Sequence, residues 1–291
     1  MLYLAGAIVF SSWLTIAFKI AGRLGISTFQ AIIFNYFTCV FTGILLDGSV
    51  PSLGSISVAE WFPWSLLMGS MFISIFNLIA YTTRKSGVAI ASVANKLSLV
   101  IPFLFSLFLY NESVTYFKIA GVFIALAAVL LTCYPSNKTE GSFGINWSFM
   151  MLPLVLFVSS GLLDTLIKYV EANFINDSNS NIYMITAFGV AGLIGSVVLI
   201  GRLFTGKERF DIRSVFTGIA IGVPNYFSLW CLVRVLKLNP GNSSSIIPVA
   251  NMGIVLFSTL IAAIFLNEKL SKINFLGIIL SVIAISLIAF G

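Results

Sequence analysis

The sequence predicts an all-α polytopic membrane protein, with ten transmembrane helices arranged as two inverted five-helix repeats. Three observations carry that prediction. First, the chain is 59% hydrophobic and only 9% charged, whereas soluble domains carry roughly 25% charged residues. Second, the apolar residues fall into runs of about 20, the length that crosses a bilayer as helix. Third, the same five-helix paragraph occurs twice. Val93-Ala94-Asn95 returns as Val249-Ala250-Asn251, Asn111-Glu112 as Asn267-Glu268, and Gly121 as Gly277, all 156 positions apart. An odd number of crossings per copy makes the second copy insert upside down, the architecture of many secondary transporters.

With Gly, Pro, Asn and charges as punctuation, the spans fall in order near 2–21, 28–46, 62–84, 87–109 and 115–134. The second set falls near 148–171, 181–201, 214–237, 242–265 and 272–290. The first run starts at Leu2 without a charged region before it and is longer than a signal-peptide core, so it reads as a retained span. The longest connections, 47–61 and 135–147, bear Gly and Ser and are too short for a domain, and Asn173 to Asn181 is a polar turn. The organisation is therefore a first repeat over 1–134, a connecting loop over 135–147 and a second repeat over 148–291. The fourth and fifth spans match the ninth and tenth without gaps over about forty residues. The first and sixth match more loosely, with Ser11-Ser12 and Lys19 against Ser159-Ser160 and Lys168. Asn-Glu and a mid-span Asn recurring in register give the duplication its weight, because membrane helices rarely hold such residues.

Composition also removes function classes. The net charge is +6, but the basic residues are scattered singly among short loops, which is a positive-inside pattern rather than a nucleic-acid footprint. Cys39, Cys133 and Cys231 lie far apart with no metal-ligand spacing. Histidine is absent, which removes Ser-His and Cys-His triads, HExxH metalloproteases and histidine relays. No Gly-rich phosphate loop supports ATP-driven transport, so any energy comes from a gradient or an exchanged solute. No cofactor and no metal is implied.

Two five-helix halves, each with a Pro-bearing helix, then Tyr110-Asn111-Glu112 or Leu266-Asn267-Glu268 and a Gly-containing final helix, resemble the EamA branch of the drug/metabolite transporter superfamily. The resemblance covers nearly the whole chain. In that family the connection usually reads Gly-Glu, and here Asn replaces Gly in both halves. The resemblance implies ten helices with inverted repeats, alternating access of a small polar metabolite, and residence in a bacterial inner membrane. It also implies that both termini are cytoplasmic. The charge count points the other way. Lys19, Arg23, Arg84, Lys85, Lys138, Arg202, Lys207, Arg209, Arg213, Lys269 and Lys272 fall on one side, against Lys118, Lys168, Arg234 and Lys237 on the other, which places the termini outside.

Lys96 is the most informative single residue. It sits about ten residues into the fourth span, roughly 15 Å along the helix at 1.5 Å per residue. A charge near mid-membrane costs at least about 2.5 kcal/mol, so it faces protein or a water-filled cavity. Its repeat partner is Met252, so the pseudo-symmetry breaks there. The two readings are a fixed charge for substrate or coupling, and a buried lysine that locks its helix. Asp164 is the only carboxylate well inside a span, with Lys168 at i+4. That spacing fits a local ion pair, and the alternative sets Asp164 opposite Lys96 as a coupling group. Asn77, Asn95, Asn225 and Asn251, with Asn35, are mid-span amides that must point inward, as interhelical bonds or as cavity lining. Ser92 lies one turn before Lys96 and extends the polar face. Trp13, Tyr226 and Trp230 are candidate aromatic walls, Pro102, Pro224 and Pro248 candidate hinges, and Gly121 and Gly277 packing positions.

The predicted function is secondary transport of a small polar metabolite by alternating access, as export or exchange. Lys96 supplies a positive charge for a carboxylate or phosphate, the asparagines and aromatics line the site, and Asp164 and Lys168 balance charge. The partners are the solute and the lipid bilayer, with no nucleic acid. A monomer suffices because one chain holds both halves. The alternatives are a multidrug or organic-cation exporter, an intramembrane enzyme, which lacks clustered nucleophiles and acids here, and a membrane sensor without turnover.

Overall fold

The computed structural model describes residues 2–47, 53–110, 115–132, 147–176, 179–238, 243–268 and 270–290. Cys133, Asn111, Glu112, Lys138, Lys269 and the connecting loop up to residue 146 lie outside the described residues, as does the side chain of Lys237. Among the described residues the chain is all helix: α1 (Leu2–Arg23), α2 (Thr28–Asp47), α3 (Leu53–Ser57), α4 (Phe62–Ser86), α5 (Val88–Leu97), α6 (Val100–Tyr110), α7 (Tyr116–Thr132), α8 (Trp147–Phe174), α9 (Ser180–Phe204), α10 (Ile212–Leu238), α11 (Ser243–Phe265) and α12 (Lys272–Phe290). Among the described residues, eight segments are long and apolar enough to cross a bilayer, while Tyr116–Thr132 and Lys272–Ile288 are apolar but shorter. The chain is built as a multi-pass membrane protein.

The helix ends follow the predicted punctuation to within a few residues, and the chemistry at those ends explains why. At the end of α1 the Ile26 N–H donates to Ala21 O (2.9 Å) and the Gly25 N–H to Gly22 O (3.4 Å), with Gly25 at φ +67°. That is a Schellman stop, which needs a residue without a Cβ penalty. Two expectations are corrected. The predicted loop 47–61 contains the short helix α3. The predicted fourth span, 87–109, remains one apolar span over Val88–Phe105 but is two helices, α5 and α6, interrupted at Ser98 and Leu99. Pro102 is the physical reason. It has no N–H to offer the Ser98 carbonyl, and its ring crowds that oxygen. The Ile101 N–H bonds Ser98 O instead (2.9 Å), tightening the turn, while the Ser98 hydroxyl donates back to Asn95 O (2.6 Å). Pro224 and Pro248 lie inside α10 and α11 without dividing them.

Packing divides the chain into two compact units. Unit 1 comprises Met1–Lys19, Ile79–Leu162 and Phe227–Gly291, and unit 2 comprises Ile20–Leu78 and Leu163–Tyr226. Neither unit is one half of the sequence. Unit 1 takes α5, α7, α11 and α12, and unit 2 takes α2 and α9.

Within unit 1, α7 and α12 pack antiparallel through two glycines. A Cβ added at Gly121 would fall 3.1 Å from Ala284 O and 2.8 Å from Ile288 Cγ1. One added at Gly277 would fall 3.0 Å from Ala128 O and 2.5 Å from Thr132 N. Each residue of the first contact has its partner in the second 156 positions away, so the interface is reciprocal. Asn274 fastens the same pair by donating to Thr132 O (2.7 Å) and Leu131 O (3.3 Å). Buried amides bonded across helices are a common device of membrane interiors, as are small residues at the contact.

Within unit 2, α2 and α9 also run antiparallel, with Gly195 against Ile33, Gly192 against Phe37 and Gly43 against Ile185. Tyr36 of α2 packs among Phe72, Phe76 and Phe188, ring centroids 5.4–6.4 Å apart. The loop between α9 and α10 is pinned to the start of α2. Fully buried Gln30 donates to Glu208 Oε1 (3.0 Å) and Arg209 O (2.8 Å) and accepts from the Asp211 N–H (3.0 Å).

Candidate functional site

The polar residues of α5 stand out against the rest of that helix. Val88, Ala89, Ile90, Ala91, Ser92, Val93, Ala94 and Leu97 are all buried. Small side chains at four of these positions, Ala89, Ala91, Ser92 and Ala94, let neighbouring backbones approach closely, as in other buried membrane helices. The two α5 residues that retain accessible surface are Asn95 and Lys96, both half-buried. They occupy its last turn, immediately before the interruption at Ser98 and Leu99. A half-helix that stops inside a span leaves backbone carbonyls without helical partners, and such backbone is tolerated where it lines a cavity or is buried in protein.

α11 packs against α5. Asn251 and Met252, the repeat counterparts of Asn95 and Lys96, are likewise half-buried on α11. Asn95, Lys96 and Asn251 therefore belong to one helix pair of unit 1. α1 meets α11 in the same unit, where Ser12 donates to Ile254 O (3.4 Å) and Ile8 packs on Gly253. Trp13, the neighbour of Ser12, is 38% exposed. Trp230 is held edge-on by Tyr3 (5.7 Å) and Phe227 (6.1 Å), with the Arg234 guanidinium over its ring at 5.1 Å. An arginine stacked on that ring is worth about 0.5–1 kcal/mol where exposed and makes Trp230 part of a packed aromatic cluster.

The remaining predicted site residues belong to unit 2. Buried Asn225 donates to Asn35 Oδ1 (3.1 Å) and to Cys39 Sγ (3.5 Å), joining α10 to α2. The two helices touch there through Gly218 and Gly222, where an added Cβ would meet Ala31 O at 2.8 Å and Asn35 O at 2.7 Å. This contact leaves Asn225 bridging two closely packed helices. Asn77, half-buried, donates one turn back to Ile73 O (2.7 Å). Buried Tyr226 donates to Asn181 Oδ1 (3.3 Å). On α8, Asp164 is half-buried and Lys168 one turn on is exposed.

Sequence reading missed one assembly. Glu268, just past α11, accepts the Val88 N–H on both carboxylate oxygens (3.0 and 2.9 Å) and pairs with Lys19 (3.3 Å). Lys19 also donates to Thr83 O (3.2 Å) and reaches Arg84 O (3.5 Å) at the end of α4. The signal was present as the recurring Asn-Glu, but the sequence could not say which helix end the glutamate would meet. Asn267 sits at φ +50°. After glycine, asparagine is among the residues that tolerate this left-handed conformation best, so Asn267 suits this turn.

No protein-family model matches the chain. A Haemophilus influenzae protein described as uncharacterized is 29% identical over 283 residues, covering 96% of this chain and 94% of its own. A solved crystal structure is similar at 16% identity with a TM-score of 0.61, covering 98% of this chain and 94% of its own. At that identity the likeness is one of fold.

Proposed function

We propose that the chain is a secondary-active transporter that moves a small polar metabolite across a bacterial inner membrane by alternating access. In this reading it is a member of the EamA branch of the drug/metabolite transporters, built from two inverted repeats with ten spans. The observation that carries the reading is α5: every residue is buried except Asn95 and Lys96, and the helix breaks beside them. A cation kept accessible on an otherwise encased half-helix is an expensive arrangement, and a passing anion would make use of it. The reciprocal α7–α12 contact, whose partners are related by the repeat offset, supports the inverted duplication. Two of the chemical differences between the copies, Lys96 against Met252 and Pro102 against Ser258, fall in this segment. Symmetry sufficient for a scaffold is thus broken where a solute needs one polar wall.

In this mechanism the Lys96 ammonium attracts a solute carboxylate or phosphate, since attraction in a low-dielectric interior far exceeds that in water. Asn95 and Asn251 offer neutral hydrogen bonds that orient the rest of the solute. Asp164 and Lys168 adjust the charge balance as access alternates. A gradient or a counter-solute drives turnover.

The test is a thermal-shift screen of purified protein against carboxylates and phosphate esters, followed by flux in proteoliposomes, with Lys96→Met beside the wild type. Acidic metabolites that stabilise and enter with the wild type and not the variant support the reading. Equal stabilisation of both proteins makes Lys96 a structural lysine and removes the centre of the site.

A further inference from the structure

α5 is a helix of ten residues, interrupted at its C-terminal end by Ser98 and Leu99. Beyond the packing around it, the direction in which it presents Lys96 is fixed at its other end. At that end Gly87 takes the N-cap position at φ +103° and supplies no side-chain cap. The first N–H groups of a helix need partners, and in a membrane protein water does not reliably provide them. The Val88 N–H finds its partner 180 positions away, in the two oxygens of Glu268. The carboxylate has room because residue 87 is glycine: a Cβ there would lie 2.9 Å from Glu268 Oε2.

The countercharge is placed with the same logic. Lys19 meets Glu268 at 3.3 Å and also donates to the carbonyls of Thr83 and Arg84, where α4 ends. An anion thus sits at the N-terminus of one helix and a cation at the C-terminus of the preceding one, the favoured sign at each macrodipole end. Both side chains are largely buried, 17% and 10% exposed, so solvent screens them little.

We propose that Glu268 is a positioning residue for Lys96, capping α5 in trans, and that Lys19 caps α4 beside it as its obligate partner. The part that concerns Lys96 rests on the anion reading above. The two residues are more than an ion pair, because each also satisfies backbone of fixed polarity. Exchanging them restores the pair and inverts both caps.

The experiment uses the full chain in nanodiscs. Hydrogen–deuterium exchange is followed over residues 85–92, and binding of succinate and of inorganic phosphate is measured by calorimetry. Glu268→Ala is expected to speed exchange at the start of α5 and to weaken anion binding, each by about tenfold, the usual scale for a lost N-cap. Glu268→Gln, whose amide oxygen still accepts the Val88 N–H, should recover most of both. The exchanged pair Lys19→Glu/Glu268→Lys should behave no better than Glu268→Ala. If the exchanged pair restores protection, or if Glu268→Ala leaves exchange over 85–92 unchanged, the capping role is overturned. Faster exchange in Glu268→Ala, in a protein whose wild type binds neither probe, supports the clamp and overturns the anion reading for these solutes.

Discussion

The α7–α12 contact permits a sharp test, because a single methyl group is added where the backbone leaves no space. In Gly277→Ala the new Cβ would sit 2.5 Å from Thr132 N and 3.0 Å from Ala128 O, and closer still to Thr132 Oγ1. Ordinary carbon contacts lie at about 3.5–4.0 Å, so the two helices must part by roughly 1 Å. The first two contacts are backbone, and no rotamer change relieves them. Overpacking of this kind costs typically 1–3 kcal/mol. The separation also strains the Asn274 bonds to Thr132 O and Leu131 O, one turn away. Alanine returns up to about 1 kcal/mol as the better helix former, leaving a net loss near 1–2 kcal/mol. The control is Gly201→Ala on α9, where nothing lies within 4 Å of the added Cβ, so only the helix-propensity gain applies. Thermal denaturation of both variants in one detergent should place Gly277→Ala several degrees below wild type, at about 2–4 °C per kcal/mol, and Gly201→Ala level with it or above. Gly121→Ala meets Ala284 O and Ile288 N at 3.1 Å each and should fall between them. Equal melting of Gly277→Ala and Gly201→Ala would refute the close approach of α7 and α12.

Three further outcomes are expected. Gln30→Leu removes both acceptors' donor and the acceptor for the Asp211 N–H, so it should cost about 2–4 kcal/mol at unchanged apolar volume; a melt within 1 °C of wild type would count against the pinned loop. Asn267→Gly should be neutral and Asn267→Ala should lose about 1 kcal/mol, because only the latter meets the left-handed penalty at φ +50°. Pro102→Ala gives residue 102 an N–H for Ser98 O, so α5 and α6 should join; exchange at residues 98–102 should slow and uptake should fall while stability is kept, and unchanged exchange would mean that the proline does not cause the break.

The membrane class and nearly all helix boundaries were legible because they depend on local quantities. Run length and hydropathy decide what crosses a bilayer, and glycine, proline and charge decide where a helix stops. Lys96 stands out in the sequence for a related reason: a cation in the middle of an apolar run is conspicuous whatever surrounds it. Local pattern could not give partners. Asn35 and Asn225 look alike in sequence to Asn95 and Asn251, yet one pair is consumed in joining α2 to α10 through Gly218 and Gly222, while Asn95 and Asn251 keep accessible surface on α5 and α11. Pro102, Pro224 and Pro248 also look equivalent, yet one divides its span and two do not. Glu268 and Gly87 stand far apart along the chain, and only folding brings a carboxylate to a helix start that lacks its own side-chain cap. Solvation is a property of each segment and can be read from its composition. Hydrogen-bond satisfaction in a medium without water is a property of pairs, and tertiary structure chooses them.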